Sequence, residues 1–183
     1  MRKLKLQVQL TINGFVAGPK GEMDWASFDW DSGLKKYVGE LTDTVDCIVL
    51  GRKLAEGFIP YWNSHPEEAG AQTFITTPKV VFTKTLENSI WKNTVLAKGE
   101  IVEEVTNLKN QKGQDLIAYG GASFVSALIK NRLIDEYFLF INPAAIPSGM
   151  TIFGELDNRL DLKLIETNRF PCGINVLKYV PLN

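Results

Sequence analysis

Three short stretches of the chain combine residue types suited to holding a phosphate. Gly51-Arg52-Lys53 follows the apolar run Val45 to Leu50, Thr83-Lys84 follows Val80 to Phe82, and Gly120-Gly121-Ala122-Ser123 separates an apolar run from a helical pattern. Glycine lets a backbone amide approach an anion closely, a helix N-terminus presents unpaired N–H groups, and Ser123 adds a hydroxyl donor. Neither the GxGxxG dinucleotide fingerprint nor the GxxxxGK[ST] phosphate loop is present, and no acidic residue stands where one would grip a ribose 2′-hydroxyl. Cations without that acid favour a 2′-phosphate, and so NADP over NAD.

These stretches need elements to place them. Leu4, Leu6, Val8, Leu10 and Ile12 alternate with Lys3, Lys5, Gln7, Gln9 and Thr11, which predicts a first strand. From Asn13 to Asp31 glycines and a proline punctuate an aromatic-rich segment, the expected form of an ordered loop packed over something. Leu34, Tyr37, Val38 and Leu41 then fall at helical spacing, with Asp31 or Ser32 available as N-cap. Val45 to Leu50 reads as a strand buried on both faces among parallel neighbours, Lys53 to Phe58 as a short helix, and Pro60 to Gly70 as a surface excursion carrying His65. Further strands are expected at Lys79 to Thr83, Thr94 to Ala97, Leu116 to Tyr119 and Tyr137 to Ile141, and helices at Ile101 to Gln111 and Phe124 to Leu133. Leu160 to Phe170 and Ile174 to Val180 form an antiparallel hairpin across Pro171-Cys172-Gly173. Strands alternating with helices and ending in a hairpin imply an α/β fold, a mainly parallel sheet with antiparallel strands at one edge, and residues 1–183 as one domain.

Composition narrows the chemistry. A formal charge of -1 gives no general attraction to nucleic acid or to an acidic membrane surface, so a small-molecule partner is favoured. Cys47 and Cys172 are far apart and belong to no CxxC spacing, which fits reduced, buried thiols in a cytoplasmic protein. With one histidine, His65, no zinc ligand set can be assembled, and no metal is expected. The start of the chain is basic but alternating, unlike a signal peptide.

Ile48-Val49-Leu50-Gly51-Arg52, Lys79-Val80-Val81-Phe82-Thr83-Lys84-Thr85-Leu86, and Tyr119-Gly120-Gly121-Ala122-Ser123 through Leu133-Ile134-Asp135-Glu136 resemble the dihydrofolate-reductase-like superfamily. The nearest branch is that of the reductase domain of the bifunctional riboflavin-biosynthesis deaminase-reductase. The resemblance spans nearly the whole chain, with Leu10 to Gly18 and Pro143 to Phe153 matching at its ends. It implies a three-layer fold with a mixed eight-stranded sheet, NADPH as hydride donor, and a pyrimidine- or pteridine-like substrate beside the first-strand loop. By position, Gly51, Arg52 and Lys53 would meet the nucleotide phosphates, Thr83 and Lys84 the adenosine ribose and its 2′-phosphate, and Gly120, Gly121, Ala122 and Ser123 the pyrophosphate. The chain departs from the pattern at Asn13, where the family usually has Asp, at Lys53, where it has Thr, and at Pro147-Ser148-Gly149, which replaces a glycine-rich turn.

Reducing a C=N bond needs a hydride at carbon and a proton at nitrogen, and a carboxyl whose pKa is raised by burial can organise that proton. Asp24, Asp29 and Asp31 lie on the loop where dihydrofolate reductases carry their acidic residue; the alternative reading has Asp29 and Asp31 capping the helix and Asp24 solvated. Asn13 and Trp25 are candidates for substrate contact, and Trp25, Phe28 and Trp30 suit either stacking on a flat ring or a core cluster. The expected function is that of a 5-amino-6-(5-phosphoribosylamino)uracil reductase, with dihydrofolate reduction or a non-catalytic NADPH-binding module as alternatives. Relatives of this reductase domain commonly pair, and the apolar Tyr137 to Ile141 strand with Pro143 to Pro147 is the expected surface of a homodimer.

Overall fold

The alternation at the start of the chain becomes β1 (Leu4–Thr11) in the computed structural model, which describes residues 1–182; Asn183, the end of the expected domain, lies outside them. The elements that follow are α1 (Ser32–Thr42), β2 (Val45–Gly51), α2 (Arg52–Ser64), α3 (Ala71–Thr76), β3 (Lys79–Phe82), β4 (Thr94–Ala97), α4 (Ile101–Asn110), β5 (Asp115–Ala118), α5 (Ala122–Lys130), β6 (Glu136–Asn142), β7 (Leu162–Arg169) and β8 (Asn175–Pro181). The strands form one eight-stranded sheet in the order β4-β3-β2-β5-β1-β6-β8-β7. Pairing is parallel from β4 to β6, and β8 and β7 are antiparallel. This is the α/β fold of the dihydrofolate-reductase-like superfamily. Among the described residues no helix is long and apolar enough to cross a membrane.

Two apolar layers sandwich the sheet. Leu4, Leu6, Val8 and Val49 face α4 and α5 through Val105, Val125, Leu128 and Ile129, while Ile48, Leu50, Ile117, Phe138 and Phe140 face α1, α2 and α3 through Leu34, Leu41, Ala55, Ile59 and Phe74. The helix after β2 therefore leaves on one face and the helix after β5 on the other, although β2 and β5 are neighbours. Divergence of this kind opens a crevice beyond the carboxyl ends of the strands, where ligands of open α/β sheets bind.

Three expectations need correction. The helix after β2 does not stop at Phe58 but runs through Pro60 to Ser64. Proline there removes one N–H from the ladder, and the turn is retained because Phe58 and Trp62 pack on Phe74 of α3 at centroid distances of 5.1 and 5.7 Å. That docking also accounts for α3, too short and too weakly patterned to read. Second, Cys47 is buried but Cys172 is only half-buried. Third, the Tyr137 to Ile141 strand is not a surface: β6 lies between β1 and β8 with Tyr137 and Phe140 fully buried. Leu164 and Ile165, on the edge strand β7, are among the exposed apolar positions.

Candidate active site

The crevice between β2 and β5 is closed from behind at Gly51, where α5 packs too closely for a side chain, and at Gly121. A Cβ on Gly51 would lie 2.7 Å from Cβ of Phe124 on α5, and one on Gly121 would touch Cβ of Leu54 on α2 at 3.5 Å. Gly120 and Gly121 have φ of +127° and +82°, conformations costly to any residue with a side chain. The result is that the N-termini of α2 and α5 stand side by side. Neither has a side-chain cap, and neither has an acidic residue in its first turn. Their leading amides and aligned dipoles are thus left to a ligand, and the ligand they suit is an anion. A dinucleotide pyrophosphate fits this cradle.

The structure brings Gly51, Arg52 and Lys53 together with Gly120, Gly121, Ala122 and Ser123 around that crevice. Arg52 is held by Glu56 one turn along α2, at 2.7 Å, while Lys53 and Ser123 are exposed. Thr83 and Lys84 lie one strand further out, past the end of β3. The buried Thr83 hydroxyl accepts from the amides of Thr85 and Leu86, both at 3.1 Å, and so closes a turn. Lys84 reaches the carbonyls of Lys98 and Gly99 at 3.2 and 3.1 Å and the Glu100 carboxylate at 2.9 Å.

On the other side of β5 the loop from Ile12 to Asp31 is tied down at several points. The Asn13 side chain donates to the carbonyl of Ile146 at 2.8 Å and accepts from its amide at 3.3 Å, which couples the end of β1 to the Pro143 to Gly149 loop. A Cβ on Gly149 would collide with the Ala17 carbonyl oxygen, so the loops meet backbone to backbone. Asn142, fully buried at the end of β6, accepts from the Ser27 amide at 3.2 Å and donates to Gln9 at 2.9 Å. Trp30 stacks on Phe140 at 6.1 Å, and the indole N–H of Trp25 is buried without a partner.

None of the three carboxylates is buried. Asp24 and Asp29 are exposed. Asp31 caps α1, accepting from the Leu34 amide at 3.0 Å, and with its other oxygen accepts from the Cys172 amide at 3.0 Å. Those backbone N–H groups, Leu34 first, hold its pKa below the ordinary 3.8. Asp31 is a clasp between the first helix and the terminal hairpin. Sequence reasoning passed over Gln9 and Asn142, whose only signal was a polar residue at a strand position that the alternation assigns to the sheet's second face. It also passed over Tyr119, whose phenol pKa is driven upward by burial alone.

Comparison with known proteins accords with the fold. The sequence model of the RibD C-terminal domain family matches residues 2–176. The chain is 31% identical over 182 residues to the uncharacterized protein YyaP of Bacillus subtilis (strain 168), covering 97% of this chain and 94% of YyaP. In fold it is similar to the diaminohydroxyphosphoribosylaminopyrimidine deaminase/5-amino-6-(5-phosphoribosylamino)uracil reductase of Thermotoga maritima, with TM-score 0.73 and 16% identity over 99% of this chain and 57% of that one. It is similar also to the dihydrofolate reductase of Enterococcus faecalis complexed with NADP(H), with TM-score 0.67 and 16% identity over 99% of this chain and 97% of that one.

Proposed function

Since the chain belongs to the RibD C-terminal domain family, we propose that it is an NADPH-dependent reductase of a small pyrimidine- or pteridine-like heterocycle, of the type of 5-amino-6-(5-phosphoribosylamino)uracil reductase. The observation that carries this is the pair of uncapped helix N-termini held side by side by Gly51 and Gly121. Gly51, Arg52, Lys53 and Gly120 to Ser123 would hold the phosphates shared by both nicotinamide cofactors, and Thr83 with Lys84 the 2′-phosphorylated ribose. Bound NADPH supplies the hydride.

The chain's own residues orient the ring and organise the proton. Trp25 and Trp30 offer aromatic faces, Trp30 backed by the buried Phe140, and Asn13 fixes the loop beside them. Asp31 stays ionised as the clasp, so Asp24 or Asp29, both in contact with solvent, passes the proton. A homodimer belongs to the same proposal, paired along β7, and a light-scattering mass near 20.5 kDa would remove that part.

The test is direct. NADPH binding is measured by isothermal titration, and NADPH oxidation is followed with a 5-amino-6-ribosylaminouracil and with dihydrofolate as separate substrates. Binding with turnover of the uracil establishes the reductase. Binding without turnover of either substrate reduces it to a cofactor-binding module, and no NADPH binding rejects the proposal.

A further inference from the structure

On one face of β1, the residues Lys5, Gln7 and Gln9 are all buried. Lys5 is satisfied by the Leu41 carbonyl at 3.0 Å, the Thr44 hydroxyl at 2.7 Å and Asp115 at 3.2 Å, and Gln9 by Asn142 at 2.9 Å. Gln7, between them and 6% exposed, is different: its Oε1 is buried with no partner among the described residues. Native proteins seldom leave such an atom unpaired, because it gave up water on folding and received nothing in return.

Its neighbours define what could fill the gap. Phe138 of β6 lies opposite Gln7, and on the other side the pairing of β1 with β5 ends at Leu6 and Ala118, the residues just before Gln7 and Tyr119. The Tyr119 ring is gripped by Phe58 and Phe74 at 5.8 and 6.2 Å, and its hydroxyl makes no hydrogen bond among the described residues. Above this row, α1 and α2 cover the sheet while scarcely touching one another. The Trp30–Phe140 stack stands on the β6 side of this row and the Phe58–Tyr119 pair on the β5 side. Tyr119 directly precedes Gly120 and Gly121, so this row and the anion cradle share the carboxyl end of β5.

We infer that Gln7 selects the substrate by pairing with a lactam edge, the adjacent ring N–H and C=O of an oxopyrimidine or oxopteridine, with the Tyr119 hydroxyl as a second donor. A carboxamide offers one acceptor and one donor side by side, complementary to that edge and indifferent to net charge. Burial raises the phenol's pKa and so favours its protonated, donating form. The inference rests on the reductase proposal for the identity of the ligand, and it goes further by naming the side chains that choose it.

The experiment uses 5-aminouracil, which has free lactam edges, and 1,3-dimethyl-5-aminouracil, which has lost its ring N–H groups. Affinities for both are measured by isothermal titration with wild type, Gln7→Leu and Gln7→Asn, and NADPH affinity is measured separately for each. Wild type should prefer 5-aminouracil by roughly tenfold, the equivalent of one net buried hydrogen bond. Gln7→Leu should bind both uracils alike, keep its NADPH affinity, and melt no lower than wild type because an unpaired buried amide has been removed. Gln7→Asn, too short to reach, should also lose the preference. A preference that survives in Gln7→Leu, or is absent from wild type, overturns the inference. Failure of wild type to bind NADPH sinks the reductase proposal instead, since the ratio between the two uracils tests Gln7 with or without cofactor.

Discussion

In the proposed reductase, single residues would divide the cofactor's phosphates between them. Lys84 sits past β3, away from the paired helix ends, and its Glu100 and carbonyl contacts pre-position an ammonium that a 2′-phosphate would share. Lys84→Ala should weaken NADPH roughly tenfold or more, the worth of a charge-assisted hydrogen bond, while leaving NADH unchanged. Arg52→Ala should weaken both cofactors. Fluorescence titration of each variant with each cofactor decides the matter, and equal losses for Lys84→Ala would assign the 2′-phosphate elsewhere. Asp24→Asn and Asp29→Asn should retain NADPH binding while one of them loses turnover; if both keep wild-type rates, water supplies the proton. Asp31 has a different signature. Its folded pKa lies below its unfolded one, so its contribution to stability is present above the ordinary value of 3.8 and lost as pH falls through the lower folded value. Asp31→Asn should therefore lower the unfolding midpoint at pH 7 and flatten the acid limb of stability against pH. The cap itself was legible, because Asp before an apolar 3.6-residue pattern is a helix start. Its second partner was not, because Cys172 lies 141 positions away and local pattern carries no such information.

At the level of elements, the strand–turn–helix units were legible because their apolar runs end in glycine, and β2, β5 and α5 stand where the pattern put them. What the glycines accomplish was only half visible. Sequence suggests room for an anion at Gly51, whereas the structure adds that α5 packs directly against it. Gly51→Ala should accordingly cost about 1–3 kcal/mol of stability through overpacking and spread the two helix ends, weakening NADPH and NADH together. Urea unfolding alongside cofactor titration checks both effects; normal affinity in a destabilised variant would separate the packing from the site. The continuation of α2 past Pro60 was illegible because a proline breaks a helix unless tertiary contacts outweigh it, and those contacts come from Phe74, outside any local window. Gln7 and Gln9 escaped notice for a related reason. A polar residue every second position ordinarily faces water, and only the cover of α1 and α2 makes it interior.

Across the whole molecule the two ends of the sheet are built on opposite terms. At the amino ends Arg2 pairs with Asp46, Lys3 with Glu136 at 2.8 Å, Lys5 with Asp115 at 3.2 Å and Lys109 with Asp135 at 2.6 Å, whereas the carboxyl ends present unpaired amides. Lys79 is the exception at the amino end, held by the carbonyls of Ile75 and Thr77 with its pKa lowered by burial to about 8. A depressed lysine disfavours the folded state while charged, so stability should climb between pH about 8 and 10.5. Tyr37 and Tyr137, pushed up by burial to about 12, then oppose it above pH 10.0. Lys79→Met should abolish the climb in a pH series of urea midpoints, and a persistent climb would point to another group. The order of the strands has a consequence during synthesis. β1 is made first yet sits between β5 and β6, whose pairing residues begin at Leu116 and Glu136. At ~5–20 residues per second the ribosome takes several seconds or longer to produce those partners, and through that interval Leu4, Leu6, Val8 and Leu10 have no sheet to join. The nascent first strand is thus the segment most in need of a chaperone, and a permuted chain that begins at the turn before β5 would deliver β1 after both of its partners already exist.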